Sequence, residues 1–182
     1  MSGFLFALIA CFLASLGARD QVLVARLTMA QGPRPALIAT ALVAAGVTAA
    51  LAAWAGLRLL PELAAPLRTL TAALILMFSG AEMLIFRPGK APAEPTRSLF
   101  AALLVLSAHQ VTDGARLLIL ALAVGTAAPV PAGLGGAAGS SAALVLAALA
   151  PAVPERLGRE RRIAGGALAL IGLTLIAGQM IA

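Results

Sequence analysis

The chain has 182 residues, 62% hydrophobic and 11% charged, with a formal net charge of +6 and a mean hydropathy of +1.03. Soluble domains carry about 25% charged and about 45–50% apolar residues, so this chain has too little polar surface to cover a soluble globule, and its composition specifies one domain embedded in lipid. The basic residues stand at the ends of apolar runs without interleaved aromatics, which argues against a nucleic-acid surface, and Cys11, the single cysteine, excludes a disulfide framework and a thiolate metal cluster.

A membrane-spanning helix needs about 20 mostly apolar residues. The first run begins at Gly3 with no basic stretch before it, so a cleavable signal is not expected. Its helix is expected over 3–29 and carries Arg19, Asp20 and Arg26. The second, over 36–58, is free of charge from Ala36 to Leu57. PELAAP (61–66) is a tight turn into the third, 66–86, which is apolar from Thr69 to Phe86 apart from Glu82. RPGKAPAEPTR (87–97) has three prolines and reads as a stiff extended connector. The fourth helix, 98–124, is uncharged from Ser98 to Thr112 and continues past Asp113 and Arg116. Leu117 to Pro154 holds no charge and is too long for one helix; Pro129, Pro131 and the neighbouring glycines divide it. The fifth helix is then 132–152, the charged turn PERLGRERR follows at 154–162, and the sixth is 162–181.

This predicts an all-α membrane protein of six transmembrane helices, with residues 1–86 and 98–182 forming two halves joined by 87–97. The loops after helices one, three and five hold Arg34; Arg87, Lys90 and Arg97; and Arg156, Arg159, Arg161 and Arg162, against Arg58 and Arg68 on the alternate side. The positive-inside rule places the connector in the cytoplasm and both termini outside a multi-pass cell-membrane protein.

The first helices of the two halves echo each other. FLFALIACFLASLGARDQVLVARL and LFAALLVLSAHQVTDGARLLILAL each carry a polar knot between two apolar runs. A repeat of three spans must enter the membrane from the opposite side, so the halves are expected to be inverted repeats, with a site near the midplane as in many secondary transporters.

Around these knots the chain resembles the transmembrane protein 165 family, also called uncharacterised protein family 16. Members are six-helix exchangers of calcium and manganese against protons, marked by a Glu-x-Gly-Asp-Lys/Arg-Thr/Ser-Gln motif on the first helix of each half. The first copy here is SLGARDQ, where Gly17, Arg19 and Gln21 fit, Ser15 replaces the Glu and Ala18 the Asp. The second is QVTDGAR, where Asp113 fits, Gln110 replaces the Glu, Thr112 the Gly, Gly114 the basic residue and Arg116 the final Gln. FSGAEMLIF resembles the family's Phe-Gly-rich end of helix three.

The family site has four acids and two basic residues, which suits a hard divalent cation. Here Asp20 and Asp113 stand against Arg19 and Arg116, and the charge sum is zero. The resemblance implies a transport path through Ser15, Arg19, Asp20, Gln21, His109, Gln110, Thr112, Asp113 and Arg116, with Asp113, Asp20 and Gln110 as metal ligands. The cargo would be Mn2+ or Ca2+ and protons, with no permanently bound cofactor.

Two readings of Asp113 stand. As a ligand and proton carrier, it lets proton and metal compete for the same oxygens, with His109 four residues earlier as relay or nitrogen ligand. As a structural charge, it pairs with Arg116 at i,i+3 or with Arg19 across the halves, and the protein is a non-transporting relative or membrane partner subunit. The zero charge sum equally suits a small zwitterion exporter, its substrate carboxylate held by Arg19 and Arg116. His109 is also readable as a packing residue, and Glu82 as snorkelling or pairing with Arg87. Arg26 is expected to snorkel, Trp54 to anchor at the interface, and the glycines of GLGGAAGSS and IAGGALALIG to serve close helix packing. No nucleophile–base pair or cofactor motif points to an enzyme. The expected partners are the bilayer and a metal ion, and homo-oligomerisation is left open.

Overall fold

The computed structural model describes residues 2–89 and 97–181. These form eight helices: α1 (Ser2–Ser15), α2 (Arg19–Gln31), α3 (Pro35–Leu59), α4 (Ala65–Ile85), α5 (Leu99–Val111), α6 (Gly114–Gly125), α7 (Pro129–Leu149) and α8 (Gly158–Ile181). No strand occurs among the described residues. Residues 90–96, most of the expected connector, lie outside them.

Four helical segments are each long and apolar enough to cross a membrane: Pro35–Glu62, Ala65–Ile85, Pro129–Leu149 and Gly158–Gln179. The other two expected helices are not continuous. The first bends by 59° between Ser15 and Arg19, and the fourth by 53° between Val111 and Gly114. Counting each bent pair as one span gives six.

The breaks fall on the two polar knots, and the knots supply the chemistry of breaking. Gly17 has φ +71°, a left-handed backbone that glycine adopts without strain. Gln21, at N3 of α2, reaches back so that its Oε1 accepts the Gly17 N–H at 2.6 Å, one residue before the N-cap Ala18. At the second break Asp113 is the N-cap of α6, its Oδ2 accepting the Ala115 N–H at 3.3 Å. The Thr112 hydroxyl lies 3.3 Å from the His109 carbonyl and 3.4 Å from that of Ala108, so it donates back into the end of α5.

The remaining ends move by a few residues. Pro129 and Pro131 sit in the first turn of α7 rather than before it, because a first-turn proline gives up no intrahelical bond. The shift at α8 matters most. It starts at Gly158 rather than 162, so Arg159, Arg161 and Arg162 belong to a helix and not to a turn.

The halves of each bent segment have 14 and 13, and 13 and 12 residues, about 18–21 Å each at 1.5 Å per residue. α1 packs on α6 and α2 on α5, so the bent segments run in opposite directions and their breaks meet. α7 lies against α1, α2, α3 and α6, while α4 is held between α6 and α8. The contacts are close because the residues are small. Gly135 and Gly139 of α7 lie against the Phe4 and Leu8 carbonyls of α1, and Gly165 of α8 lies against Gly80 and Met83 of α4. Such contacts replace the hydrophobic driving force that lipid removes. Gly166, in contrast, meets nothing within 4 Å. Phe6, Trp54, Ile85, Phe100 and Leu149 are exposed, an apolar outer face that suits a bilayer.

Candidate functional site

Where the two breaks meet, ionisable side chains converge. Asp20, Glu82, Asp113, Arg116 and Arg161 are all buried, and Arg19 is partly so. Three acids face three arginines, so the cluster is formally neutral.

Arg161, from the first turns of α8, is its bridge. Its Nη2 donates to Glu82 Oε2 at 2.6 Å and to Asp113 Oδ1 at 2.8 Å, and its Nη1 donates to the Ala14 carbonyl at the end of α1. Glu82 Oε2 also accepts the Gly114 N–H at 3.1 Å. Its other oxygen accepts from Arg19 Nη2 at 3.2 Å. Arg19 reaches the Thr112 carbonyl and hydroxyl at 3.3 and 3.1 Å, and its guanidinium carbon lies 4.8 Å from the Phe86 ring centre. One arginine therefore ties α8 to α1, α4 and the second break, and another ties the first break to α4 and the second break. Charges taken out of water are costly unless partner charges or hydrogen bonds of this kind compensate them.

The other half of the site is built differently. Asp20 and Arg116 touch no opposite charge among the described residues, yet neither lacks hydrogen bonds. Arg116 donates to Thr48 Oγ1 and Ser140 Oγ, both at 2.9 Å, and to the Ala45 carbonyl at 3.5 Å. Gln110 Nε2 donates to Asp20 Oδ2 at 3.0 Å, and Asp20 Oδ1 accepts the Gln21 N–H at 2.8 Å. The Thr48 hydroxyl lies 3.1 Å from Gln110 Oε1 and 2.8 Å from the Ala44 carbonyl, and its one hydrogen serves one of them at a time. The run Arg116–Thr48–Gln110–Asp20 thus links a cation to an anion through two neutral side chains of correct polarity. Ser15 joins by donating to Ser140 at 3.3 Å, and Gln21 Nε2 holds the Ala143 carbonyl of α7 at 2.8 Å.

Of the nine path residues expected, Ser15, Asp20, Gln21, Gln110, Asp113 and Arg116 are buried together at the breaks. Arg19 and Thr112 meet at the edge. His109 stands apart and half-buried, lining a cavity of about 390 Å3 with Arg19. Its Nδ1 and the Arg19 Nε have no hydrogen-bond partner among the described residues.

Several expected pairings are corrected. Asp113 pairs with Arg161, not with Arg116 or Arg19. The N-cap role aims its carboxylate away from the i,i+3 position, and Arg116 turns toward the hydroxyls of α3 and α7. Glu82 neither snorkels nor meets Arg87; the face of α4 that packs on α6 and α8 carries it inward. Arg26 bonds Glu155 at 2.7 Å and the Gly89 carbonyl at 2.6 Å instead of reaching outward alone. The trio Asp113, Asp20 and Gln110 is not assembled as a ligand shell, because Gln110 donates to Asp20 while Asp113 is taken by Arg161 and its own helix cap. Among the described residues no three His, Cys, Asp or Glu side chains form a group able to hold a metal.

Sequence reasoning missed Arg161 and undervalued Glu82. Both carried a signal. Glu82 is an ionisable residue inside an apolar span, a site candidate by that fact alone. Arg161, Gly165 and Gly172 fall at spacings of four and seven on one helical face, the face α8 presents to α4. No family model matches the chain, and no curated protein or solved structure matches it.

Proposed function

We propose that the protein is a multi-pass cell-membrane secondary transporter that exchanges a divalent cation, manganese or calcium, against protons at the meeting point of the two broken helices. The observation that carries this reading is the Asp20–Gln110 hydrogen bond, 3.0 Å, which joins the two breaks through buried ionisable chemistry. Discontinuous helices meeting inside the membrane are the usual construction of such sites. The helix contacts support an inverted repeat. Exchanging α1, α2, α3 and α4 with α5, α6, α7 and α8 turns α1·α6 into α2·α5, α1·α7 into α3·α5 and α2·α7 into α3·α6, and leaves α3·α7 and α4·α8 unchanged; all eight occur, while α4·α6 has no α2·α8 counterpart of comparable extent.

In this mechanism Arg161 is a tethered counter-cation. It occupies Glu82 and Asp113 in the cargo-free arrangement, and an arriving cation or proton displaces it from the same oxygens. A cavity of about 490 Å3 reaches Gly17 and Arg161, and a separate one of about 190 Å3 reaches Thr48 and Arg116. The two ends of the cluster thus have separate access. Rocking of one half against the other would open them in turn.

The test is manganese and calcium flux into proteoliposomes under an imposed pH gradient. Wild type should show gradient-dependent flux. Asp113→Asn keeps a capping oxygen but loses the charge, and should fall below a tenth of it while inserting normally. Silence of folded wild type with both ions would favour a second reading, a non-transporting protein whose acids are closed by Arg161; the 2.6 and 2.8 Å bonds are its support. For topology, the connector is placed in the cytoplasm and both termini outside. Gly89→Cys should react with an impermeant maleimide only after cells are permeabilised, since the native Cys11 is buried. Labelling on intact cells would invert the topology.

A further inference from the structure

The cavity of about 490 Å3 opens between the middle of α2, the end of α4 and the start of α8, and its wall carries Arg26, Arg87, Arg159, Arg161 and Arg162 against one acid, Glu155. Two of the five are neutralised: Arg26 by Glu155 at 2.7 Å, and Arg161 by Glu82 and Asp113. Arg87 and Arg159 have no ion pair among the described residues, and Arg162 makes only 3.4 Å contacts with the Leu84 carbonyl. The undescribed stretch 90–96 adds one lysine and one glutamate, hence no net charge. Three uncompensated guanidinium groups therefore share one concavity. Like charges converge at a cost that an anion removes, and arginine's planar fork matches phosphate oxygens in pairs.

The place of the cavity names the source of that anion. Ile85 at the end of α4 is 70% exposed, and Ile163, next to Arg162 on α8, is 65% exposed. The arginines thus stand at the step between polar helix ends and the apolar outer face, the level of lipid headgroups. The volume lies in the range of about 300–1,000 Å3 usual for small-ligand sites.

We propose that this cavity is a phosphate-binding site for the headgroup of an anionic phospholipid, held by Arg87, Arg159 and Arg162 with the acyl chains running beside Ile85 and Ile163. The site shares its cavity with one access route of the transport reading, but Arg87, Arg159 and Arg162 lie outside the buried cluster, so lipid retention and ion flux fail separately.

The experiment measures phospholipid retained by the detergent-purified full chain, by native mass spectrometry, after incubation with phosphatidylglycerol, phosphatidylcholine or inorganic phosphate. Phosphatidylglycerol should be retained in preference to phosphatidylcholine. Each arginine at an anionic surface is worth about a fivefold step in affinity. Arg159→Gln should therefore weaken retention about fivefold, and the variant with Arg87, Arg159 and Arg162 all changed to Gln more than tenfold. Arg87 and Arg159 make no side-chain hydrogen bond or ion pair among the described residues, so Arg159→Gln gives a reading even if the triple variant fails to fold. Equal retention by wild type and Arg159→Gln would overturn the site. Full displacement of phosphatidylglycerol by millimolar inorganic phosphate would overturn the lipid as its occupant.

Discussion

Replacing Arg161 with methionine is expected to lower the unfolding free energy of the detergent-solubilised protein by about 3–5 kcal/mol, the cost of breaking a buried ion pair from one side. Methionine fills much of the same volume, so the loss comes from charge. The guanidinium bonds Glu82, Asp113 and the Ala14 carbonyl, and its removal leaves two carboxylates facing each other with Arg19 as the sole remaining contact cation. Adding Glu82→Gln and Asp113→Asn to the methionine variant should recover much of the stability, because the two carboxylates that faced Arg161 are then neutral, while Arg19 loses its acid but keeps the Thr112 oxygens. Arg161→Lys should fall between, since one ammonium cannot reproduce a planar fork that spans three acceptors. Equilibrium unfolding in detergent reads all three. An unchanged midpoint for Arg161→Met would mean the bridge is open in solution.

A comparable loss, about 3 kcal/mol, is expected from Gly135→Leu or Gly139→Leu in α7. A Cβ on Gly135 meets the Phe4 carbonyl, and one on Gly139 meets the Leu8 carbonyl. Backbone cannot rotate away as a side-chain tip can, so α1 must shift bodily, and overpacking of about 1–3 kcal/mol adds to lost helix contact. The site would feel this, because Ser15 at the end of α1 bonds Ser140, next to Gly139. Gly166→Ala and Gly178→Ala are the controls. Neither position has a neighbour within 4 Å, and alanine favours helix over glycine by up to about 1 kcal/mol. Thermal melts should put these two at or above wild type. Equal losses at all four positions would show that glycine flexibility, not close approach, is what α7 and α8 need.

The six apolar runs and the two polar knots were readable from the order of residues, whereas the charge balance was read from two acids and two arginines and lacked Glu82 and Arg161. Span length depends only on how many apolar residues follow one another. The knots were visible because Arg19, Asp20 and Asp113 interrupt such runs. Their first consequence was harder to read. Gly17 with Gln21, and Thr112 with Asp113, do not merely decorate two helices; they end them. Capping and helix propagation compete locally, and a continuous apolar pattern on both sides hides which one wins.

Which charges pair was decided by the tertiary structure alone. Asp113 has Arg116 three residues away and instead meets Arg161, 48 residues on; Arg161 also meets Glu82, 79 residues back. Four arginines crowd PERLGRERR, and only the start of α8 at Gly158 turns Arg161, with Gly165 and Gly172, toward α4. Hydrophobic length adds up residue by residue, so the sequence determined it. Pairing in a low-dielectric interior must satisfy every buried charge at once, and that condition is met only by helices already packed in three dimensions.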